Sequence, residues 1–507
     1  MEGDFQNKSD AFMAWLRQQG ASISPKIELA DLRSRGAGRG VVATADIEAD
    51  EELFTIPRSA VLTVENSELL TRLRGQAIEE RTAALPVHDL RADFLDGLGP
   101  WLSLILVMMY EYLKGPESRW WQYFSILPSK FDTLMFWSSD ELDELQASAV
   151  RDKIGKKFTE QMFRDNIVDM IAKHTNVLLP TGTSEPKAEE LIGMAHRMGS
   201  IIMAYGFDLE KSDNENEKDE EGFAEEEEDE WLPKGMVPLA DMLNAEPEGN
   251  INAGAGWNNA RLFYGESTLT MKATKSIQAG EEVLNDYGPL PRSDLLRRYG
   301  YITSKYAQHD VVEISQSMIV DVVTADHKLK KKMVEDKLAY MAEKEVFEDG
   351  DENGYDLTHP IWKDTRSCFS EDLLLFITVL LLDDGEYRQL KRKGKLPEVE
   401  MDLQLDVAKI LKRLTEVRAA QYPTTAEEDR KLLAEMGDDT TSRKTMAVQV
   451  RLGEKAILEE CRDVLCVYIE ETSYWQAFNL KRHGLDEETG FDLETEGRPL
   501  VFKRRKL

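Results

Sequence analysis

Three short segments of this chain carry residues whose types and spacing could do chemistry. The first, residues 35–42, contains three glycines within five residues, Gly36, Gly38 and Gly40. Because glycine has no side chain, such a segment lets the main chain approach a ligand closely and point its N–H groups outward. The glycines do not have the G-x-G-x-x-G spacing of a dinucleotide-binding loop, and a strand pattern follows them where a helix should. A flexible turn and a ligand-binding loop both stay open as interpretations of this segment.

The second segment, residues 237–245, contains Asp241 and Asn244 among apolar neighbours. Residues three apart lie on the same side of a short helical turn, so both polar side chains could face one site. Capping and turn hydrogen bonds, which Asp and Asn form throughout proteins, are the ordinary alternative.

The third segment, residues 285–301, contains two Tyr-Gly pairs, with Tyr287 closing a strand pattern and Tyr299 ending a short helix pattern. This arrangement can bring two phenol hydroxyls into one pocket, although tyrosine pairs also occur in ordinary cores. The presence of all three segments in this order favours a shared site more than any one of them does.

Short strands and helices must position these segments. Apolar runs predict two strands of a small antiparallel element between Gly40 and Pro57, and a hairpin followed by a further strand within residues 260–287. A short helix is predicted over residues 292–298. Residues 65–207 and the chain beyond residue 304 have the apolar periodicity of helices.

The order of these elements predicts an α+β protein in which a helical insertion splits a β-rich domain. The two β-rich parts can share one domain only if the insertion folds on its own core and returns the chain. We predict an N-terminal β-rich part over residues 1–64, the insertion over 65–235, a C-terminal β-rich part over 236–303, a helical domain over 304–492 and a basic tail over 493–507.

The chain is strongly acidic, with 95 Asp and Glu against 63 Lys and Arg in 507 residues and a formal net charge of -32. Residues 208–230 contain fourteen acidic residues and two lysines, which is -12 of that charge. We predict a disordered loop there, because the segment repels itself and has almost no apolar surface to bury. The net charge disfavours direct nucleic-acid binding and favours a basic protein partner.

The composition argues against several other classes of protein. Three cysteines are too few for a disulfide framework or a four-cysteine zinc site, which predicts an intracellular protein with reduced thiols. The seven histidines lack metal-ligand spacing, so no metal is expected. The longest apolar runs reach about half of the ~20 residues that span a bilayer, and the N-terminus has no apolar signal segment, so we expect neither membrane insertion nor secretion.

The combined motifs resemble those of the SET-domain lysine methyltransferases of the Rubisco large-subunit methyltransferase type. The resemblance rests on GRGVVATADI and LFTIPRSAVLT, on VPLADMLNA, and on EEVLNDYG followed by SDLLRRYGY. The split β-rich domain and the helical C-terminal region match the same class. Within it, MVPLADMLNA and IIMAYGF are most similar to the fungal ribosomal-protein lysine methyltransferases.

The resemblance implies a protein-lysine N-methyltransferase that uses S-adenosylmethionine and acts on a non-histone protein, with a ribosomal protein as the first expectation. It places Ala37, Gly38 and Arg39 in a loop that contacts the cofactor. It also places Asn244 against the methionine part of the cofactor. Tyr205, at a position that the family often fills with Arg, is expected to contact the cofactor as well.

The resemblance further implies that Tyr287 is the catalytic residue, at the channel through which the methyl group passes, and that it also contacts the cofactor. Tyr299 corresponds to a second tyrosine that contacts the substrate lysine, and Asp241 falls beside that substrate. Burial of the lysine amine next to a sulfonium cation disfavours its charged form. No strong general base is then required, and positioning dominates the expected catalysis.

Two other classes of function compete with an enzyme. A non-catalytic module on the same scaffold could recognise a basic protein, and an acidic chaperone could act through residues 208–230. Neither accounts for the glycine segment together with both tyrosines. By the resemblance, the helical C-terminal domain docks the substrate, and we expect the protein to be a monomer.

The chain ends in a basic cluster at Lys503, Arg504, Arg505 and Lys506. A nuclear-import signal and a solvated tail explain this cluster equally well. We expect a nuclear location, with the cytoplasm as a second one.

Overall fold

A computed structural model of the chain describes residues 2–33, 38–73, 95, 97–209, 232–246, 258–347, 354–361, 364–399, 402–437 and 442–489. The chain divides into two compact units, Met1–Asp310 with Ala426–Gly453, and Val311–Thr425 with Glu454–Leu507. The sequence predicted a single helical domain over residues 304–492, whereas in the structure residues 426–453 pack with the first unit. The predicted domain boundaries otherwise stay predictions.

The strands of the first unit are short. In chain order they are β1 (Ser22–Ile23), β2 (Ile27–Asp31), β3 (Arg39–Ala43), β4 (Glu52–Pro57), β5 (Gly206–Asp208), β6 (Lys234–Met236), β7 (Ala260–Tyr264), β8 (Thr268–Ala273) and β9 (Glu282–Val283). Within the described residues they form a four-stranded sheet of order β1-β4-β8-β7, a three-stranded sheet of order β2-β3-β9 and the pair β5-β6. All of the pairings are antiparallel.

The pairings confirm that the chain returns to the same domain after the insertion. β4, before the insertion, pairs with β8, after it, and β3 pairs with β9 in the same way. The predicted hairpin is also confirmed, with Ala260 opposite Ala273 in β7 and β8.

Two details of the strand prediction are wrong. The two strands between residues 40 and 57 do not form one element, because β3 and β4 belong to different sheets. The last predicted strand, expected to run to residue 287, is only the two residues of β9. Its continuation leaves the sheet because Asn285 bonds to residue 244 instead.

Helices fill the insertion and the C-terminal half, as predicted. They are α1 (Glu2–Gln18), α2 (Gly99–Leu113), α3 (Trp121–Phe124), α4 (Ser139–Asp143), α5 (Lys156–Phe163), α6 (Asp169–Lys173), α7 (Thr175–Leu178), α8 (Ala188–Tyr205), α9 (Arg292–Tyr299), α10 (Gln316–His327), α11 (Lys331–Glu343), α12 (Glu371–Leu381), α13 (Asp384–Lys393), α14 (Leu405–Ala419), α15 (Ala426–Met436) and α16 (Arg443–Thr489). Short 3-10 segments include Leu134–Phe136, Ala149–Ile154 and Ala240–Met242.

The core of the first unit is continuous from the sheets into the insertion. The apolar helix α2 is buried over the ten consecutive residues from Leu102 to Glu111, and α8 packs beside it. The single carboxylate in this stretch, Glu111, accepts hydrogen bonds from the hydroxyls of Ser67 and Ser118. Because a buried charge needs such partners, the two serines allow the helix to be buried on all sides.

A buried ion pair explains why residues 426–453 belong to the first unit. Arg451, 2% exposed, donates two hydrogen bonds to the carboxylate of Asp429, at 3.1 and 2.7 Å. A third donor of the same guanidinium bonds to the carbonyl oxygen of Glu144. The pair therefore joins α15 and the start of α16 to the insertion.

The second unit contains α10 to α14 and the later part of α16. It also holds one strand pair that the sequence pattern did not predict, β10 (Val311–Ser315) with β11 (Gly354–Thr358). Among the described helices of the whole chain, none is long and apolar enough to cross a lipid bilayer.

Two sequence predictions fall largely outside the described residues. Of the predicted disordered loop over 208–230, only the first two residues are described: Asp208 ends β5, and Leu209 is buried. The basic tail over 493–507 lies wholly outside them.

Candidate active site

The second and third sequence segments lie side by side in the first unit. The N–H of Asn285 donates to the carbonyl oxygen of Asn244 at 2.9 Å, and Ala245 pairs with Asn285 in a parallel bridge. The hydroxyl of Tyr287 donates to the carbonyl oxygen of Leu243 at 3.3 Å. The chain therefore fixes the predicted catalytic tyrosine against the segment that carries Asp241 and Asn244.

The glycine segment contacts the same place. The amide of Asn244 donates to the carboxylate of Glu282 at 2.7 Å. A Cβ atom on Gly40 would lie 2.4 Å from Cδ1 of Leu32, 2.8 Å from that carboxylate and 3.1 Å from the amide nitrogen of Asn244. Glycine at position 40 is thus required for β3 to lie this close to the Asn244 side chain.

The other predicted residues of the glycine segment have different surroundings. A Cβ atom on Gly38 would meet no described atom within 4 Å, which leaves room for a ligand beside its main chain. The guanidinium of Arg39 lies 3.9 Å from the ring centroid of Phe5 and donates to Ser9 and to the carbonyl oxygen of Ile126. Ala37 lies outside the described residues, so its predicted contact with the cofactor stays a prediction.

Asp241 is a buried carboxyl group at the centre of the site. It lies in the 3-10 segment Ala240–Met242, is 5% exposed and accepts a hydrogen bond on Oδ2 from the hydroxyl of Tyr123. Its Oδ1 atom has no hydrogen-bond partner among the described residues. Burial raises the pKa of Asp241 to about 8, against the lowering effects of the Tyr123 hydrogen bond and of the nearby main-chain N–H groups of Asp241 and Leu239.

Tyrosine rings surround this region. The rings of Tyr287 and Tyr299 stack, with centroids 4.3 Å apart and planes 8° from parallel. Burial raises the pKa of Tyr287 well above its usual range, and it raises the pKa values of Tyr299 and Tyr205 to about 12. The charge of Asp241 raises the pKa of Tyr205 further, which places this tyrosine near the carboxyl group. At neutral pH all three phenols are therefore uncharged.

Asp241 and Asn244 do not share one face of a turn. The 3-10 segment ends at Met242, before Asn244, and the two side chains bond to different partners, Tyr123 and Glu282. Sequence reasoning missed both of these partners. Tyr123 lies in an aromatic-rich run that is typical of a core helix, and Glu282 lies among other acidic residues of a turn, so neither had a distinguishing signal.

The arrangement suits a cationic substrate group. The faces of neutral aromatic rings attract cations, and an unpartnered carboxyl oxygen accepts a hydrogen bond from an ammonium group. Among the residues that the structure describes, no group of His, Cys, Asp and Glu side chains is arranged to hold a metal ion.

Comparisons with known proteins concern the chain as a whole. A model of the SET domain matches residues 38–288, and a model described as Rubisco LSMT substrate-binding matches residues 328–458. Ribosomal lysine N-methyltransferase 4 of Saccharomyces cerevisiae is 32% identical over 473 residues, which cover 91% of this chain and 88% of the yeast protein. N-lysine methyltransferase SETD6 of Homo sapiens is 25% identical over 500 residues, covering 89% of this chain and 94% of the human protein.

Solved structures share the fold. The structure of Rubisco LSMT bound to sinefungin and monomethyllysine matches 95% of this chain and 98% of its own, with a TM-score of 0.62 and 21% identity. The structure of Rubisco LSMT bound to AdoMet matches with a TM-score of 0.60 and 19% identity. The predicted α+β fold is thereby confirmed. The chain belongs to the SET-domain protein-lysine N-methyltransferases, a family of enzymes whose methyl donor is S-adenosylmethionine.

Proposed function

We propose that this enzyme methylates a lysine of a ribosomal protein and that the Asp241–tyrosine cluster receives the lysine. The name of the yeast relative supports the substrate class. The net charge of -32 also favours a basic partner such as a ribosomal protein. The observation that carries the proposal is the buried carboxyl group of Asp241, whose unpartnered oxygen lies in a site lined by uncharged tyrosines.

The described residues fit the methyl donor. A Cβ atom on Gly38 would meet no described atom within 4 Å, and the side chain of Asn244 is oriented by Glu282 beside Gly40. We propose that these two residues, with Ala37 and the main chain of Arg39, hold the cofactor, and that Tyr205 and Tyr287 contact it. S-adenosylmethionine supplies a methyl group on a sulfonium, and the uncharged tyrosines suit that positive charge.

The chain's own residues prepare the lysine for transfer. The lysine side chain enters as an ammonium ion, and its nitrogen must lose a proton before it can attack a methyl group. Burial of the amine already disfavours the ammonium ion, so no strong base is needed, and the ionised fraction of Asp241, whose pKa is about 8, can accept the proton that leaves. The hydroxyl of Tyr287 donates its hydrogen to the carbonyl oxygen of Leu243, so the lone pairs of the hydroxyl oxygen can orient the amine. The ring of Tyr299 stacks on the ring of Tyr287 and holds it in place.

Labelling of a lysate tests the substrate class. The purified chain is incubated with labelled S-adenosylmethionine and a lysate that contains ribosomes and free ribosomal proteins, and the labelled protein is identified by mass spectrometry. We expect one methylated lysine in one ribosomal protein. Label on a protein from outside the ribosome would contradict the substrate proposal and leave the enzyme class intact.

Calorimetry with the same preparation separates an enzyme from a binding module on the same scaffold. Saturable binding of S-adenosylmethionine, together with labelling that is much slower in the Tyr287→Phe variant, is the expected result. A chain that binds basic proteins and takes up no cofactor would favour the binding module.

We also propose that the enzyme acts in the nucleus, with the cytoplasm as a second location, and that it is a monomer with no direct nucleic-acid contact. The basic cluster from Lys503 to Lys506 supports nuclear import. A fluorescent fusion of the full chain should be nuclear, and replacement of the four basic residues by Ser should make it cytoplasmic. An unchanged distribution would show that the cluster is a solvated tail.

A further inference from the structure

A pocket lies in the first unit between α8 and α9, and none of the tyrosines of the candidate active site lines it. It has a volume of about 100 Å³ and is lined by both helices and by residues of the two 3-10 segments at 134–136 and 149–154 and their neighbours. Met203 forms part of its wall and is 43% exposed, so the pocket opens beside an apolar side chain at the surface.

The wall of this pocket is basic although the chain as a whole is acidic. Lys153, Arg297 and Arg298 line it, and its described lining includes no Asp or Glu. Asp294 lies 2.8 Å from Nε of Arg297 and 3.9 Å from Arg298, outside the lining. The residues that line the pocket therefore include three cations and no carboxylate, while Asp294 and Glu160 lie just outside the lining.

Two buried polar atoms in the pocket wall lack partners. The hydroxyl of Thr133, 3% exposed, and Nε2 of His196, 9% exposed, form no hydrogen bond with the described residues. Glu160 is 3.8 Å from Nε2 of His196, beyond hydrogen-bond reach. A buried polar atom without a partner costs about 1–3 kcal/mol. Both groups can donate a hydrogen to an anionic ligand, which would remove this cost.

His196 is suited to donate without adding charge. Burial lowers its pKa, opposed by the nearby carboxylate of Glu160, so the ring is neutral at neutral pH. A neutral imidazole carries one N–H, which can lie on Nε2. The positive charge of the pocket therefore comes from Lys153, Arg297 and Arg298, while Thr133 and His196 supply directed hydrogen bonds.

The same two helices lead from this pocket to the tyrosine site. α8 ends in Tyr205 and α9 ends in Tyr299, whereas Ser200 and Arg298 line the pocket. At a rise of 1.5 Å per residue, the lining residues Ser200 and His196 lie roughly 8 and 14 Å along α8 from Tyr205. An extended peptide advances about 3.3 Å per residue, so these distances correspond to roughly two to four residues.

We propose that this pocket binds the carboxylate of a Glu or Asp side chain located two to four residues from the target lysine in the substrate protein. The proposal rests on the proposed function, because the carboxylate and the lysine belong to one substrate segment. The methylene groups of the acidic side chain pack on Met203, and the carboxylate accepts hydrogen bonds from Thr133, His196 and Arg298. The pocket would then select one lysine among the many of a basic protein.

A peptide array tests the proposal. Each peptide has a central lysine in a neutral background, with a single Glu moved through the flanking positions and a matched Gln series. Binding of the labelled full chain in the presence of S-adenosylmethionine and methyl transfer are read from the same array. We expect Glu to exceed Gln about tenfold at one position two to four residues from the lysine, the size of one charge-assisted hydrogen bond.

Three variants of the protein are tested on the same peptide array. Arg298→Glu should abolish the Glu preference and favour Lys at the same position. Thr133→Val removes a donor without leaving an unpaired atom, so it should fold normally and reduce the preference severalfold even if Arg298→Glu does not fold. Arg430→Glu, an exposed residue of α15 in the same unit that does not line the pocket, is the matched charge control and should keep the wild-type preference.

The outcomes separate this proposal from the proposed function. Binding with the Glu preference but without methyl transfer would support the pocket and contradict the enzyme. Methyl transfer with equal Glu and Gln signals would overturn the pocket and leave the enzyme intact. Absence of both signals, a preference for phosphoserine over Glu, or a Glu preference that survives Thr133→Val and Arg298→Glu would also overturn the pocket.

Discussion

Tyr287 donates its hydroxyl hydrogen to the main chain of Leu243 and stacks its ring on Tyr299. The oxygen atom is therefore fixed in place, while ring packing alone would hold a phenylalanine at the same position. We predict that Tyr287→Phe lowers kcat roughly a hundredfold, the usual cost of removing one positioned polar group from a reaction site. The dissociation constant of S-adenosylmethionine, measured by calorimetry, should change far less.

A matched control for this variant lies in the second unit. The hydroxyl of Tyr340 donates to the carbonyl oxygen of Lys395 at 3.0 Å, so Tyr340→Phe loses one comparable hydrogen bond. It should cost about 1 kcal/mol of stability and leave kcat unchanged. If Tyr287→Phe weakens cofactor binding as much as it slows turnover, its role is binding and the catalytic assignment is wrong.

The pKa of Asp241 predicts a pH dependence of stability with a definite sign. Its pKa rises from 3.8 in the unfolded chain to about 8 in the folded one, so the folded state holds the proton more tightly. The contribution of Asp241 to stability is then fully present below about pH 4 and falls as the pH rises towards 8, by on the order of 1 kcal/mol per unit. Denaturant unfolding at several pH values should show this decline in the wild type and a flatter curve in Asp241→Asn.

The same group predicts the opposite trend for catalysis. Only the ionised form of Asp241 can take a proton from the substrate ammonium, so kcat/KM of the wild type should rise with pH up to about 8. Asp241→Asn should be slower and should lack this rise. If Asp241→Asn keeps the full rise of kcat/KM with pH, the rise comes from another group, such as the substrate lysine itself.

At the scale of elements, the close approach of β3 to the Asn244 segment gives a sharp test. In Gly40→Ala the added Cβ would lie 2.4 Å from Cδ1 of Leu32, 2.8 Å from Glu282 and 3.1 Å from Asn244, so both the Leu32 packing and the hydrogen bond that orients Asn244 are expected to shift. We predict about a tenfold weaker affinity for S-adenosylmethionine by calorimetry, with overpacking costing about 1–3 kcal/mol of stability. Unchanged affinity would remove Asn244 from the cofactor site.

Gly193→Ala is the control for that substitution. Gly193 lies inside α8, and a Cβ there would meet no described atom within 4 Å. Alanine should therefore stabilise the helix by about 0.5–1 kcal/mol and leave the affinity for the cofactor unchanged.

Element types were predictable from the sequence where the pattern is local. The apolar run of α2 and the β7–β8 hairpin follow from periodicity and from the residues between the strands. Which strands pair with one another was not predictable, because β3 and β4 each pair with a strand more than 200 residues away. The strand pair β10–β11 was missed for the same reason, since its two strands lie some 40 residues apart and carry no hairpin turn between them.

The site shows the same limit. Tyr287 and Tyr299 could be named from their Tyr-Gly motifs, and the structure stacks their rings. Tyr123 could not, because its hydrogen bond to Asp241 joins residues 118 positions apart and its local sequence is that of a core helix. The buried partner of Asp241 is determined by tertiary packing, which a single sequence does not reveal.

At the scale of the whole molecule, the acidic charge is unevenly placed along the chain. Residues 208–230 carry -12 of the net -32, and the basic pocket between α8 and α9 has the opposite sign. We therefore assign the long-range attraction of a basic substrate to residues 208–230. The local selection of its acidic side chain is assigned to the pocket between α8 and α9. Attraction between exposed charges acts mainly on the association rate and is screened by salt.

Removal of the acidic segment tests this separation. Asp208 pairs with Lys234 in the β5–β6 ladder, and the N–H of Leu209 donates to the carbonyl oxygen of Pro233 at 2.7 Å. Residues 209 and 233 are thus adjacent, so a short Gly-Ser linker can replace residues 210–230 without disturbing either strand. We predict an unchanged kcat and a KM that rises severalfold at low salt but matches the wild type at high salt, where exposed charges are screened.

A second replacement, in which every Asp and Glu of residues 210–230 becomes Asn or Gln, keeps the length and removes only the charge. It should reproduce the low-salt increase in KM, because the effect is electrostatic. If the Gly-Ser variant loses activity while the neutral variant keeps it, the segment acts through its length. A folded Gly-Ser variant with no turnover at any salt concentration would place residues 210–230 in the catalytic machinery and contradict the separation of attraction from selection.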